Sequence, residues 1–357
     1  MLDIFSEARW RQIQKTYESW WRREIGRPVL HLSFCGEDPG MPRPDGIVTG
    51  DLFRYPPREP ADSVAEKIEY IMRGSRYEFD AFPYVHMYFG PVHEVEFFGA
   101  RAKIDGSTVW FSANVPQINE MHAALDKNSL FYPRYREIAI ACEKRFSGGY
   151  AITPPISGGC CLDFVAEFYK ASELGCLLCD EPDEVNRLSM EFHRASNAIG
   201  RELAALTPSA RGYAYEGMFA PEPLKIMQCD FSAMIGPGHF GRFVKWDLDL
   251  SVGESPNYNF YHLDGPGALV HLDSILSIHG LKCVQWVPGA GERPADAWPE
   301  VYRKISGAGK NIWLFDKIED VETIADQIGT AKGLYWKGSY PMSEYDRVMK
   351  IAERLTM

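Results

Sequence analysis

Apolar positions recur along this chain with two spacings, and segments of the two kinds alternate. Trp10, Ile13, Tyr17, Trp20 and Trp21 fall three and four residues apart and predict an amphipathic helix that Gly26-Arg27-Pro28 ends. Compact apolar runs of strand length follow at Pro28–Phe34, Ala81–Phe89, Tyr150–Ile156, Gly212–Glu216, 257–261, 281–287, Asn311–Asp316 and Gly333–Lys337. The run at Tyr150 is broken by Pro154-Pro155 ahead of Gly158-Gly159. Helical periodicity occupies 61–77, 131–146, the stretch from Leu162, Asp183–Leu206, Pro237–Lys245, 319–329 and 341–355. From Cys35 to Pro60 the chain is rich in Pro and Gly, an insertion expected to fold over the mouth of the domain.

About eight strands alternating with helices predict an α/β fold, a closed parallel (β/α)8 TIM barrel. The helix within 1–26 is expected to pack on its outside as an N-terminal extension. With 357 residues, 45% of them hydrophobic, the chain can bury a large core, and one domain over 1–357 is expected.

Barrel enzymes collect their chemistry at the C-terminal ends of the strands, so the polar residues that end each run become candidates. His262 and Asp264 stand two apart and share one face of an extended strand, where they can converge on one ion or substrate group. Glu216 closes a run of aromatic and small residues and is a candidate acid, base or metal ligand. The catalytic set is therefore His262, Glu216 and Asp264, and the same three form the candidate metal set. Tyr84, His86, Asp230, Gln285, Trp286 and Trp336 are expected to contact substrate, with Lys337 and Tyr340 closing the pocket. Glu292, after the 281–287 run, would face the same cleft. His86, His93, Glu94 and Glu96 form a polar cluster that could add ligands or a base but is best read as a solvated loop, and His122, His193, His271 and His279 read as structural or exposed.

A net charge of −11 and the lack of a Lys/Arg-rich run exclude a nucleic-acid footprint and favour a small-molecule partner. No run approaches the roughly 18 apolar residues of a membrane span, and MLDIFSEARWRQIQ lacks a signal-peptide core, so a cytoplasmic protein is expected. Eight cysteines are ordinary for a reduced compartment, and Cys176-Leu177-Leu178-Cys179 has no second pair to complete a zinc set. No glycine fingerprint links a strand to a helix, so no nucleotide cofactor is expected.

Three segments carry a family resemblance. They are Gln228-Cys229-Asp230-Phe231-Ser232 with Pro237 and Phe240 behind it, Tyr261-His262-Leu263-Asp264-Gly265 with its helix, and Cys179-Asp180-Glu181-Pro182-Asp183-Glu184-Val185. Together they resemble the uroporphyrinogen decarboxylase superfamily, which also holds corrinoid-linked methyltransferases and the cobalamin-independent methionine synthase barrel. The resemblance implies a barrel with its site at the strand ends. It does not extend to the decarboxylase itself. Ser33 and Glu37 stand where that enzyme's first strand supplies arginines for a polyanionic substrate, and Tyr84-Val85-His86-Met87 lacks its aspartate.

In the methyltransferase branch a motif like H-x-C-G helps to hold zinc. Here it reads His262-Leu263-Asp264-Gly265, a carboxylate in place of a thiolate. The resemblance implies methyl transfer between a small molecule or corrinoid carrier and an acceptor, with zinc as a possible cofactor and a corrinoid protein as a possible partner. A carboxy-lyase acting on a small carboxylated substrate and a non-catalytic corrinoid- or tetrapyrrole-binding barrel are the alternatives.

Overall fold

The computed structural model describes residues 2–48, 50–106, 108–156, 161–314 and 317–356. Its strands are β1 (Val29–Cys35), β2 (Ser75–Phe79), β3 (Tyr84–Val85), β4 (Arg101–Asp105), β5 (Thr108–Ser112), β6 (Ala151–Ile152), β7 (Tyr213–Tyr215), β8 (Met218–Ala220), β9 (Lys225–Gln228), β10 (Asn259–Asp264), β11 (Cys283–Val287), β12 (Asn311–Leu314) and β13 (Leu334–Pro341). Among the described residues they form a seven-stranded sheet, β2-β1-β13-β12-β11-β10-β9, a four-stranded sheet, β3-β6-β7-β8, and the hairpin β4-β5. From β9 to β1 the large sheet is parallel throughout, and β3, β6 and β7 are parallel in the small one. Helices such as Pro182–Ala204, Pro299–Gly307 and Ile318–Ile328 alternate with these strands, so the fold is α/β.

The ladders do not close into a barrel among the described residues. β13 pairs with β1, as barrel closure requires, but no ladder joins β1 to β3 or β8 to β9. The reason is local. β3 follows Pro83 and β6 precedes Pro154-Pro155, and proline has no N–H to give a ladder, so both strands shrink to two residues. Asp80 bridges one seam instead: its amide donates to the Leu30 carbonyl at 3.0 Å, and its carboxylate accepts the Leu30 amide at 3.1 Å. Arg27 grips the same carboxylate through both terminal nitrogens at 2.6 and 2.8 Å.

Several elements differ from the sequence reading. The helix expected over 61–77 ends at Arg73, Gly74 turns the chain, and β2 runs antiparallel to β1. The β4-β5 hairpin is not among the expected elements, and Gly158, Gly159 and the end of the Asn311–Asp316 run lie outside the described residues. α1 (Glu7–Trp21) does begin at an N-cap, Ser6, whose hydroxyl accepts the Arg9 amide. Its buried face of Trp10, Ile13, Tyr17, Trp20 and Trp21 packs with Phe82, Phe219, Phe260, Trp313 and Tyr335 in one apolar cluster. No helix of the described residues is long and apolar enough to cross a membrane.

Candidate active site

One row of residues crosses the large sheet at its C-terminal side. The register pairs Gln228 with His262, His262 with Gln285, and Gln285 with Trp313, and all four line a cavity of about 790 Å³. Tyr215 and Glu216 of the small sheet line it too, with Asp230, Lys317, Lys337 and Tyr340. Strand parity decides who enters. Residues beside this row point the other way: Leu263, Trp286 and Trp336 are buried in the large apolar core.

That parity corrects two expectations. Trp286 and Trp336, read as substrate walls, are core residues; Trp286 packs edge-on against Trp298 at 5.1 Å, and Trp336 stacks on Tyr340 at 6.3 Å. Gln285 lines the cavity, while its strand neighbour Trp286 turns into the core.

Asp230, His262 and Asp264 offer ligand atoms that all lie within 4.8 Å of one another. His262 and Asp264 share a face of β10 as their spacing predicts. Asp230 arrives from the turn Asp230–Met234 after β9, which Asp163 pins by accepting the Asp230 amide at 3.1 Å and the Phe231 amide at 3.0 Å. Burial and the nearby Asp230 charge push the Asp163 carboxyl up to about 8. Burial also raises the Asp230 carboxyl, with His262 opposing and Asp264 adding to the rise. Two carboxylate oxygens and an imidazole nitrogen suit a divalent cation, which would relieve this crowding of negative charge. His262 Nδ1 lies 2.6 Å from Gln285 Oε1.

Glu216, expected as the third ligand, is engaged elsewhere. It occupies the two-residue turn joining β7 to β8, with φ of +46° at Glu216 and +73° at Gly217, the left-handed pair of a type I′ hairpin. A non-glycine residue held there costs roughly 1 kcal/mol or more. The turn is over-determined: Tyr335 donates to the Glu216 carbonyl at 2.6 Å, Tyr17 donates to the Gly217 carbonyl at 2.8 Å, and Gly217 lies against the His31 ring.

The Glu216 side chain forms an ion pair with Lys337 and lies 3.5 Å from His86 Nε2. Burial alone would raise the Glu216 carboxyl, but Lys337 and then His86 bring it down to about 2. Burial likewise opposes the Lys337 charge, yet Tyr84 and Glu216 hold the ammonium above its ordinary value. Burial lowers the His86 imidazole against the pull of the Glu216 charge, and burial holds the His31 imidazole at about 3. Tyr84 and His86 therefore belong to this second polar group, across the cavity from the three-residue cluster.

Sequence reasoning missed a further cluster. His193 sits between Asp247, 2.6 Å from Nδ1, and Glu254, 2.9 Å from Nε2, and Cys161 donates its amide to Asp247 at 2.8 Å. Cys161, His193 and Asp247 have the spacing of a metal group. Burial would lower the imidazole, but the two carboxylates raise it to about 9. With Asp247 against one ring nitrogen and Glu254 against the other, the cluster forms an ion-pair clamp, and a metal ion held by Cys161, His193 and Asp247 would have to displace one of these contacts. Nothing in the spacing of residues 161, 193 and 247 signals it. The cluster read as solvated is also buried: His93, Glu94 and Glu96 are at most 2% exposed, and Glu96 caps the helix Phe131–Phe146 through the Leu130 and Phe131 amides.

Compared with known proteins, the chain is similar in structure to a methyltransferase from Methanosarcina mazei. The TM-score is 0.58 over 96% of this chain and 98% of that one, at 12% sequence identity. At that identity the likeness establishes a shared fold. No family model and no curated protein matches the sequence.

Proposed function

We propose that the protein is a methyltransferase of the uroporphyrinogen decarboxylase type, moving a methyl group between a small molecule or corrinoid carrier and an acceptor. In this reading 1–357 is one domain, and the two sheets are arcs of one (β/α)8 barrel. What supports the barrel is the cavity lined from both sheets. The observation that carries the function is the Asp230, His262 and Asp264 cluster at the mouth of that cavity, in a fold shared with a methyltransferase.

Those three residues would hold a divalent ion, zinc being the first candidate. Such an ion acts as a Lewis acid that lowers the pKa of a coordinated acceptor. Asp230 and Asp264 hold the acceptor's proton-binding end in negative surroundings, and Gln228 donates to Asp230 at 3.2 Å to keep that carboxylate in place. The methyl group leaves its donor without the bonding electron pair and accepts one from the acceptor, so attack has to come in line from the cavity. Aromatic rings of Tyr88, Tyr215, Trp313 and Tyr340 line that space and limit water. Glu216 and Lys337 supply a fixed dipole on the opposite wall. An ionised carboxylate clamped by a lysine is a poor proton donor, which disfavours the carboxy-lyase reading with Glu216 as acid.

The test is the metal content of protein purified without added metal or chelator, beside His262→Ala, together with methyl transfer from methylcobalamin to thiols and tetrahydrofolate. We expect about one zinc per chain, lost in the variant, and transfer that chelators abolish. Metal-free protein with no transfer, alone or with a corrinoid protein, would sink the proposal.

A further inference from the structure

The geometry points to Gln285 as a positioning residue that decides which nitrogen of His262 faces the cavity. The inference rests on the metal reading of this site, yet it concerns the imidazole itself and can fail separately. His262 on β10 and Gln285 on β11 are register partners, which sets their side chains next to each other on the same face. The amide oxygen of Gln285 is 2.6 Å from Nδ1. An amide oxygen only accepts, so Nδ1 carries the proton. A neutral imidazole has one N–H, and Nε2 therefore keeps its lone pair.

The surroundings make this choice necessary. Asp230 and Asp264 each have a carboxylate oxygen within 4.8 Å of a His262 ring nitrogen, and their negative charge draws the ring proton toward them. With the Gln285 oxygen occupying Nδ1, Nε2 is the nitrogen left to meet a cation in the cluster. Gln285 opposes the two carboxylates from behind. It is 5% exposed, so water competes little for the amide, and its register neighbour on the far side is Trp313, an apolar wall. A residue first read as a substrate contact thus acts through His262. Outer partners of this kind typically change metal affinity about 10- to 100-fold when removed.

The experiment uses the full chain, metal-free, labelled with 15N-histidine. The His262 ring signals are identified by their loss in His262→Ala. In the wild type the ring nitrogen shifts should report a proton on Nδ1. Gln285→Leu should move that proton to Nε2 and weaken zinc binding, titrated with zinc chloride against a chelating indicator, about 10- to 100-fold. Gln285→Glu keeps an acceptor opposite Nδ1 and should keep the proton there, which controls for simple damage to the core.

A wild type protonated on Nε2, or a Gln285→Leu protein whose tautomer is unchanged, overturns the inference. If the tautomer switches as expected but the wild type binds no zinc, the inference stands and the metal reading falls. If zinc binds while the tautomer ignores Gln285, the reverse holds.

Discussion

The carboxylate of Glu216 and the ammonium of Lys337, 121 residues apart, form an ion pair that joins the turn after β7 to the strand β13. The two ends belong to different sheets with no ladder between them. The pair therefore ties the two sheets together at a place where both residues line the cavity. Both side chains are about 30% exposed, which places the pair between surface and buried behaviour.

Lys337→Met should destabilise the protein by about 2 kcal/mol, because it strands a carboxylate whose best partner is gone. The double variant with Glu216→Gln should recover part of that loss, measured as non-additivity in urea unfolding. The pH dependence follows from the sign of the shift. Glu216 is lowered from 4.5 to about 2, so its contribution is complete above pH 4.5 and lost as pH falls through about 2. In Lys337→Met that acid limb should move up toward pH 4.5. An unmoved limb would show that Lys337 does not hold the carboxylate.

His193 shows the opposite sign. Its imidazole is raised from 6.5 to about 9, so the stabilisation is complete below pH 6.5 and disappears as pH rises through 9. Its partner Glu254 is lowered from 4.5 to about 2 by His193 and Lys225 against the effect of burial, and that part is lost only as pH falls through about 2. The difference in unfolding free energy between wild type and His193→Gln should shrink from pH 6 to pH 10. Zinc held by Asp230, His262 and Asp264 should stay bound in this variant.

Gly217→Ala tests the turn that carries Glu216. A Cβ there would lie 2.5 Å from the His31 ring, on a residue whose φ is +73°. The left-handed conformation disfavours alanine by about 1 kcal/mol, and overpacking against a buried ring adds roughly 1–3 kcal/mol. Thermal unfolding should drop accordingly. A variant as stable as wild type would mean that the turn relaxes freely and that Glu216 is not held in place.

Trp286→Phe separates core from site. The indole nitrogen of Trp286 has no hydrogen-bond partner among the described residues, so phenylalanine removes volume and no bond. Stability should fall by about 1–3 kcal/mol, while the KM of whatever methyl acceptor proves active stays within about twofold. A large KM change at constant stability would return Trp286 to the pocket wall.

The alternation of periods in the sequence was enough to read α/β and to place His262, Asp264, Glu216 and Gln285 at strand ends. It was enough because each is tied to a local pattern: an apolar run with a polar residue at its close. What escaped depended on pairings that no local pattern records. Asp230 joined His262 and Asp264 only because Asp163, on another helix, pins its turn. Glu216 left the expected ligand set because a lysine far along the chain pairs with it. Trp286 and Trp336 were misplaced for a simpler reason: aromatic residues at strand ends looked like pocket walls, and the alternation of sides along the strand was not carried through. Strand lengths near Pro83 and Pro154 were overestimated because apolar content outweighed missing N–H groups. The Cys161, His193 and Asp247 clamp draws on three separate helices and left no trace in spacing.

Much of the aromatic face of α1 is covered by parts of the chain made much later. Trp21 donates to Phe219, Tyr17 to Gly217 and Trp20 to Leu334, the last across 314 positions. At about 5–20 residues per second of synthesis, this helix leaves the ribosome roughly 15–60 seconds before its final partner exists. During that interval Trp20 and Trp21 lack Tyr335, Phe219 and Tyr258, while Trp10 and Tyr17 meet Phe82 early. The nascent protein thus carries a partly uncovered aromatic ridge through much of translation, and crowding or shortage of chaperones should harm its yield more than its finished stability suggests.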